Sequence, residues 1–232
     1  MDFNFLSEKV ATGENSTYLE WIFSGAMHTV AISFTAFILA MFIGAAVGTL
    51  RTTSGLSKRL ADTFFETIRS IPFIAQLFIG FFVLPVLFIP ETIKTIDPDS
   101  VVIFVGTLCL AVFMSARIAA QVTAGLQALP ASQMMACKSM GFSQLHTYTM
   151  FLLPQALRNI IPTLTSEAMN TVKNSAVIST IGLMDLTKQS QQIIDYTAKP
   201  LEAFLCIVIG YLIINATVLM MMKIVEMKTR IN

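Results

Sequence analysis

Ser132-Gln-Met-Met-Ala-Cys-Lys-Ser-Met-Gly141, followed after nine intervening residues by Phe151-Leu-Leu-Pro-Gln155, is a polar interruption in an otherwise apolar chain. It lies between two apolar runs, on the side where basic residues collect. Ser132 suits an N-cap, because its hydroxyl can accept a free backbone N–H of the next turn. Residues 133–140 then read as two helical turns, and Gly141 suits the left-handed position that ends a helix. With Ser132 as cap, Met135 falls where a Glu would close a capping box, so the box is absent. Ser143 caps a second short helix over 144–151 that runs up to Pro154. Met134, Met135, Ala136 and Met140 give the first helix a soft apolar surface beside Lys138. Such a surface adapts to a partner's groove. Rest on lipid headgroups accounts for the same pattern.

The rest of the chain supplies the setting. It has 232 residues, 55% hydrophobic and 12% charged, with mean hydropathy +0.72. Soluble domains carry about 25% charged residues, so this composition is that of a membrane protein. Apolar runs at 21–50, 73–90, 101–122 and 201–222 are each near or above the roughly 20 residues that span hydrocarbon. Residues 1–20 carry Asp2, Glu8, Glu14 and Glu20 where a signal peptide needs a basic front, so the first helix is expected to serve as the insertion signal. Cys109, Cys137 and Cys206 are far apart and read as small buried apolar residues.

Basic residues mark cytoplasmic loops. Arg51, Lys58 and Arg59 follow the first run, Lys138 and Arg158 the third, and Lys223, Lys228 and Arg230 form the tail. The N-terminus is acidic, and so is the second loop with Glu91, Lys94, Asp97 and Asp99. This puts the N-terminus outside and the C-terminus in the cytoplasm. An inside third loop and an inside tail require a further crossing within 155–186. That stretch contains Thr163, Ser166, Glu167, Asn170, Lys173 and Asn174. A polar helix survives in a bilayer when its polar face meets protein or water. The expected fold is an all-α integral membrane protein of five transmembrane helices, the fourth lining the interior. A periplasmic segment, 1–20, precedes a single transmembrane domain, 21–230, with its cytoplasmic loop at 130–154.

Arg117 sits inside the third run, where a charge is costly and is paired or functional. Its planar fork suits a ligand carboxylate; a structural pair with Glu167, or a head reaching to the inner interface, fits equally. Thr163, Glu167, Asn170 and Asn174 share one helix face with Lys173 beside it. They read as a pathway lining or as hydrogen-bonded glue between helices. Glu66 and Arg69, three apart near the cytoplasmic end of the second helix, read as an intrahelical or subunit-interface ion pair, with substrate binding as the alternative. Gly44 and Gly48 form a small-x-x-x-small pair that permits close helix approach. His28 and His146 are lone and are assigned no chemistry. No metal cluster, nucleophile triad or G-x-x-x-x-G-K-[ST] phosphate loop occurs, so neither catalysis nor a cofactor is expected. No basic stripe supports nucleic-acid binding.

The spacing from Gly141 to Phe151 and Leu153-Pro154 resembles the EAA loop of ABC importer permeases, E-A-A-x-x-x-G, nine residues, then I-x-L-P. Phe151 replaces the isoleucine, Met135 the Glu and Cys137 the second Ala; Ala136 agrees. Glu66-Thr-Ile-Arg69-Ser-Ile-Pro72-Phe-Ile-Ala-Gln76 is similar to the E-x-x-R-x-x-P-x-x-x-Q stretch of polar amino acid permeases. Pro154-Gln-Ala also resembles that subfamily. Ala116-Arg117-Ile118-x-x-Gln121-Val122 with Met169-Asn170-x-x-Lys173-Asn174-Ser175 is most similar to glutamate/aspartate permease subunits. The chain departs at Ala120 and Thr123, where the family usually has an acidic and a basic residue.

The resemblance implies a type I importer permease in a bacterial inner membrane, paired with a second permease chain, identical or paralogous. It implies two cytoplasmic ATPase subunits beneath and a periplasmic or surface binding protein that delivers the amino acid. Glutamate or aspartate is the implied substrate, with glutamine, histidine or arginine as alternatives. Implied ATPase-coupling residues are Ser132, Gln133, Met135, Ala136, Lys138, Met140, Gly141, Leu153 and Pro154. Implied substrate residues are Arg117, Glu167, Asn170, Lys173 and Asn174. An ion-driven secondary transporter is opposed by five helices without an internal repeat. An intramembrane enzyme is opposed by the lack of a catalytic constellation.

Overall fold

The computed structural model describes residues 3–12, 14–88 and 97–229. Asp2, Pro90, Glu91, Lys94 and Arg230 of the expected topology lie outside the described residues. The named elements are helices. A 3-10 turn at Asn4–Ser7 precedes α1 (Tyr18–Leu50), α2 (Leu56–Ser70), α3 (Phe73–Phe78), a π-helical segment at Ile79–Val83 and α4 (Leu84–Phe88). Next come α5 (Pro98–Gln127), α6 (Ala131–Ser139), α7 (Gln144–His146), a second π-helical segment at Thr147–Leu152 and α8 (Leu153–Ser175). A 3-10 segment at Ala176–Ile181, α9 (Leu186–Thr197) and α10 (Pro200–Thr229) follow.

Among the described residues, α1, α5 and α10 are long and apolar enough to cross a membrane. The run at 73–90 enters that set only together with α2, as one broken span. Pro72 explains the break. A proline pushes the residue before it out of the helical region, and Ile71 is extended at φ −102°, ψ 127°. α8 is the helix expected within 155–186. It runs 23 residues, through Pro162, and its polar side chains keep it out of the apolar set.

The chain divides into two compact units. The first comprises Met1–Thr35, Phe73–Leu110 and Asn170–Thr217. Its N-terminal stretch folds back on itself: the Val10 N–H donates to the Ser16 carbonyl at 3.0 Å, and Lys9 and Thr17 form an antiparallel bridge. Thr17 and Glu20 then start α1 with a reciprocal cap. The Glu20 N–H donates to Thr17 Oγ1 at 3.3 Å, and the Thr17 N–H donates to Glu20 Oε2 at 2.8 Å. This seats Phe5, Val10, Tyr18 and Trp21 with Ile193 and Ala203 in one apolar cluster.

The second unit comprises Ala36–Pro72, Ala111–Met169 and Val218–Asn232. Here α1 meets α5 through its glycines. A Cβ on Gly44 would stand 2.8 Å from Ile118 Cβ and the Ser115 carbonyl oxygen; one on Gly48 would stand 2.8 Å from the Ala119 carbonyl oxygen. Small residues let two backbones approach this closely. Phe65 of α2 packs with Ala116 and Ala119 of α5. The Arg51 guanidinium lies 3.6 Å over the Phe65 ring and donates from Nε to Asp62 at 2.8 Å. Arg69 also sits over Phe65, at 5.8 Å, and among the described residues no ion pair within the chain joins it to Glu66.

Candidate functional site

The polar interruption becomes α6 and the turn after it, both in the second unit. Ser132 is not the cap. Pro130 holds that position at φ −59°, ψ 130°, without a side-chain cap, and its carbonyl accepts the Gln133 N–H at 3.0 Å. Proline's fixed φ and extended ψ set the entry, and Ala131, the best helix former, takes the first helical place. Ser132 therefore lies inside the first turn and Gln133 stands third. Met135 lies beyond the capping-box position, so the box its side chain was expected to break is not at issue there.

The end of α6 follows from Gly141, which adopts φ 81°. The Phe142 N–H donates to the Cys137 carbonyl at 3.1 Å and the Gly141 N–H to Lys138 at 3.0 Å. These two bonds satisfy the last carbonyls in the Schellman arrangement. Ser143 caps α7, accepting the His146 N–H at 3.3 Å. The helix does not stop at Pro154. The Leu153 N–H donates to Tyr148, five residues back, and this widened turn carries the chain into α8 past a proline with no N–H to give. The Gln155 side chain donates to the Phe151 carbonyl at 3.0 Å.

Burial divides this stub into two sides. Cys137 is buried, Gln133, Met134, Leu153 and Pro154 are half-buried, and Ser132, Met135, Ala136, Lys138, Met140 and Gly141 are exposed. Leu145 and Met150 extend the exposed apolar side. Behind the stub is a cavity of about 160 Å³ lined by Thr52, Leu126, Pro130, Met134 and Tyr148 among others. The Tyr148 hydroxyl donates to the Thr52 carbonyl at 3.2 Å and accepts from Thr52 Oγ1 at 3.0 Å. That pair ties the segment after α6 to the end of α1.

The same unit brings Arg117 onto Glu167. Arg117 Nε donates to Oε2 at 2.6 Å and Nη2 to Oε1 at 3.3 Å. The Glu167 side chain is 6% exposed and that of Arg117 46%. Two parallel charge-assisted bonds fix orientation as well as distance. Asn170, Lys173 and Asn174 belong to the first unit. Asn174 Nδ2 donates to the Asn170 carbonyl of its own helix at 2.8 Å, and Lys173 is exposed.

Sequence reasoning misses a buried polar knot in the first unit. Asp185 caps α9, accepting the Lys188 N–H at 2.8 Å and the Tyr211 hydroxyl at 3.4 Å. Thr187 Oγ1 lies 3.0 Å from the same hydroxyl. The Leu186 N–H donates to Thr29 Oγ1 at 3.2 Å, and His28 Nδ1 donates to the Met184 carbonyl at 2.9 Å. Asp before a helical run signals a cap, but nothing local signals its partners on α1 and α10.

A family model described as "Binding-protein-dependent transport system inner membrane component" matches residues 36–231. The "Glutamate/aspartate import permease protein GltJ" of Escherichia coli (strain K12) is 40% identical over 223 residues, 94% of this chain and 90% of the relative. The "Probable glutamine ABC transporter permease protein GlnM" of Bacillus subtilis (strain 168) is 29% identical over 82% of this chain and 85% of the relative. Among solved structures, an amino acid ABC transporter crystallised with histidines superimposes with TM-score 0.76 at 27% identity, over 91% of this chain and 95% of that one. An inward-facing MetNI methionine ABC transporter gives TM-score 0.74 at 22% identity, over 92% and 98%, which speaks to the fold alone. The chain belongs to the family of binding-protein-dependent transport system inner membrane components.

Proposed function

We propose that this chain is the permease subunit of an ATP-driven importer of acidic amino acids, glutamate or aspartate. The observation that carries the reading is 40% identity to a glutamate/aspartate import permease across 94% of the chain. In this reading the chain forms one transmembrane domain over 21–230 in a bacterial inner membrane. It crosses five times, at α1, at residues 73–90, and at α5, α8 and α10, with 1–20 outside and the loop 130–154 inside. A second permease chain, identical or paralogous, pairs with it. A binding protein delivers the amino acid from outside. The sequence has no phosphate-binding loop of its own, so ATP hydrolysis falls to two cytoplasmic ATPase subunits.

The stub around α6 is where those ATPases dock. Met135, Ala136, Lys138 and Met140 supply the exposed contact, and Ser132 and Gln133 stand in the first turn of the helix that presents it. Gly141 ends it, and Leu153-Pro154 passes its displacement into α8. Closure of the ATPases biases a bistable packing of the permease through these contacts. Arg117, held by Glu167, receives a carboxylate of the substrate. Asn170, Lys173 and Asn174 are candidate pathway donors on α8.

Reconstitution with the ATPase and binding protein in liposomes tests the function. ATP-dependent glutamate uptake, with hydrolysis stimulated by loaded binding protein, is expected. Uptake that collapses with an ion gradient and ignores ATP overturns it. Similarity to glutamine permeases favours glutamine as the second reading, which competition between the two amino acids decides. Gly141→Val tests the coupling role. A β-branched residue at φ 81° is strained by about 1–2 kcal/mol, and the variant is expected to hydrolyse ATP without transport or fail to assemble. Wild-type transport by it counts against the stub as the docking element.

A further inference from the structure

We infer that Glu167 aims Arg117: it takes one edge of the guanidinium and leaves the other edge to a ligand carboxylate. The inference rests on the reading above and takes the carboxylate that Arg117 receives to be the side-chain one, since glutamine shares the α-carboxylate. A guanidinium carries five N–H donors in one plane, and a carboxylate can engage it in parallel along more than one edge. Glu167 occupies the Nε–Nη2 edge, at 2.6 Å and 3.3 Å. Among the described residues, no hydrogen bond or ion pair engages Nη1. Glu167 is buried and the Arg117 side chain about half exposed, and the edge that Glu167 leaves unbonded is the Nη1 edge.

The surroundings make this a fixed arrangement. Ala116, Ile118 and Ala119 beside Arg117 are all buried, so α5 holds its backbone in place. Arg117 stands ten residues before the end of α5, roughly 15 Å along the axis. A lone cation at such a place in a span is costly, and the bidentate pair carries no net charge. A neutral pair draws no anion from a distance. Selectivity therefore comes from the shape of the open edge, which offers parallel N–H donors to two acceptor oxygens. A carboxylate accepts both. A side-chain amide accepts only one, because its NH2 is itself a donor. A site built from donors rejects the amide for that reason. Glu167 is thus a positioning residue that sets the choice between carboxylate and amide.

The test uses the solubilised permease–ATPase complex without the binding protein, titrated calorimetrically with L-glutamate and with L-glutamine. The wild type is expected to prefer glutamate. Glu167→Gln sets an NH2 against one Arg117 donor and is expected to cut that preference by roughly tenfold or more. Glu167→Asp keeps the charge but draws the carboxylate back by one methylene, and a smaller cut is expected. A residue that only cancels charge would leave the preference intact in the Asp variant. If the Gln variant does not elute as an intact complex, the Asp variant alone decides. An unchanged preference in the Glu167 variants overturns the aiming role. Arg117→Lys is read separately, with Glu167 present. Unchanged glutamate binding there, or no preference in the wild type, overturns the carboxylate reading of Arg117 itself, and the aiming role falls with it.

Discussion

α5 and α10 are both 30 residues long, with mean hydropathy 2.3 and 2.4 over their apolar windows, yet half of the α5 window is buried and 6% of the α10 window. The difference lies in small residues. Gly106 admits Ile178, whose Cγ2 stands 2.5 Å from where a Cβ would be, and Gly125 admits Ile160 at 2.7 Å. Ala111, Ala116 and Ala119 continue the same helix and are buried. α10 makes one such contact, Gly210 against Leu186 at 2.6 Å, and buries Ala203 and Ile214. Hydropathy says that a helix can enter the bilayer. It does not say what the helix will face, because lipid tails are as apolar as leucine and give helices no hydrophobic reason to associate. Close packing permitted by small side chains buries half of the α5 window. α10 keeps Leu212, Ile213, Met220 and Met221 exposed for lipid or a second chain.

α5 is most sensitive where its backbone touches that of α1. Gly48→Val on α1 drives side-chain carbon toward the Ala119 carbonyl of α5, and a backbone atom cannot swing aside. Overpacking of even one methylene costs about 1–3 kcal/mol. Valine adds three carbons, so monodisperse protein after solubilisation is expected to be lost. Wild-type yield would show that α5 is not gripped through its glycines. Leu110→Ala is the next largest. Leu110 is fully buried in α5, and the cavity is expected to cost roughly 2–4 kcal/mol. Thermal unfolding of the solubilised chain measures it, and a negligible shift would put α5 on the same footing as α10.

Tyr211→Phe probes the place where α10 is held. The hydroxyl bridges Thr187 and the Asp185 carboxylate, while Asp185 keeps the Lys188 N–H. Loss of the bridge is expected to cost about 1 kcal/mol and to speed proteolysis near residues 198–200. Unchanged proteolysis and unfolding would mean that packing at Gly210, and not the hydroxyl, holds the helix.

What the sequence reveals follows the range of each interaction. Gly141 and Ser143 are legible because a cap is satisfied within a few residues. The start of α6 is misread because Pro130 and Ala131 outcompete the hydroxyl of Ser132. Thr17-x-x-Glu20 is an equally local signal, hidden by the polar average of the first 20 residues. α8 is found by counting charges across loops and not by hydropathy. Arg117 and Glu167 stand 50 positions apart, so residue types offer their pairing only as one of several alternatives. Asp185 is the hardest case. Its cap is local, but Tyr211 is 26 positions away, and the Thr29 that secures the next residue is 157 from it.

The exposed face of α10 gives the clearest contrast with buried α5. Leu212 has the same side chain as Leu110, on a helix of nearly the same hydropathy, but it is exposed. Leu212→Ala is expected to shift the unfolding of the isolated solubilised chain by no more than about 0.5 kcal/mol. The same variant measured in the assembled transporter separates the two possible neighbours of α10. Against lipid, the small value persists, because exchanging leucine for alanine there leaves no cavity. Against a second permease chain, Leu212 becomes a core residue on assembly, and the cost rises toward the Leu110 value. A large loss already present in the isolated chain would mean that α10 packs against its own chain, and similar hydropathy would then no longer hide unequal roles.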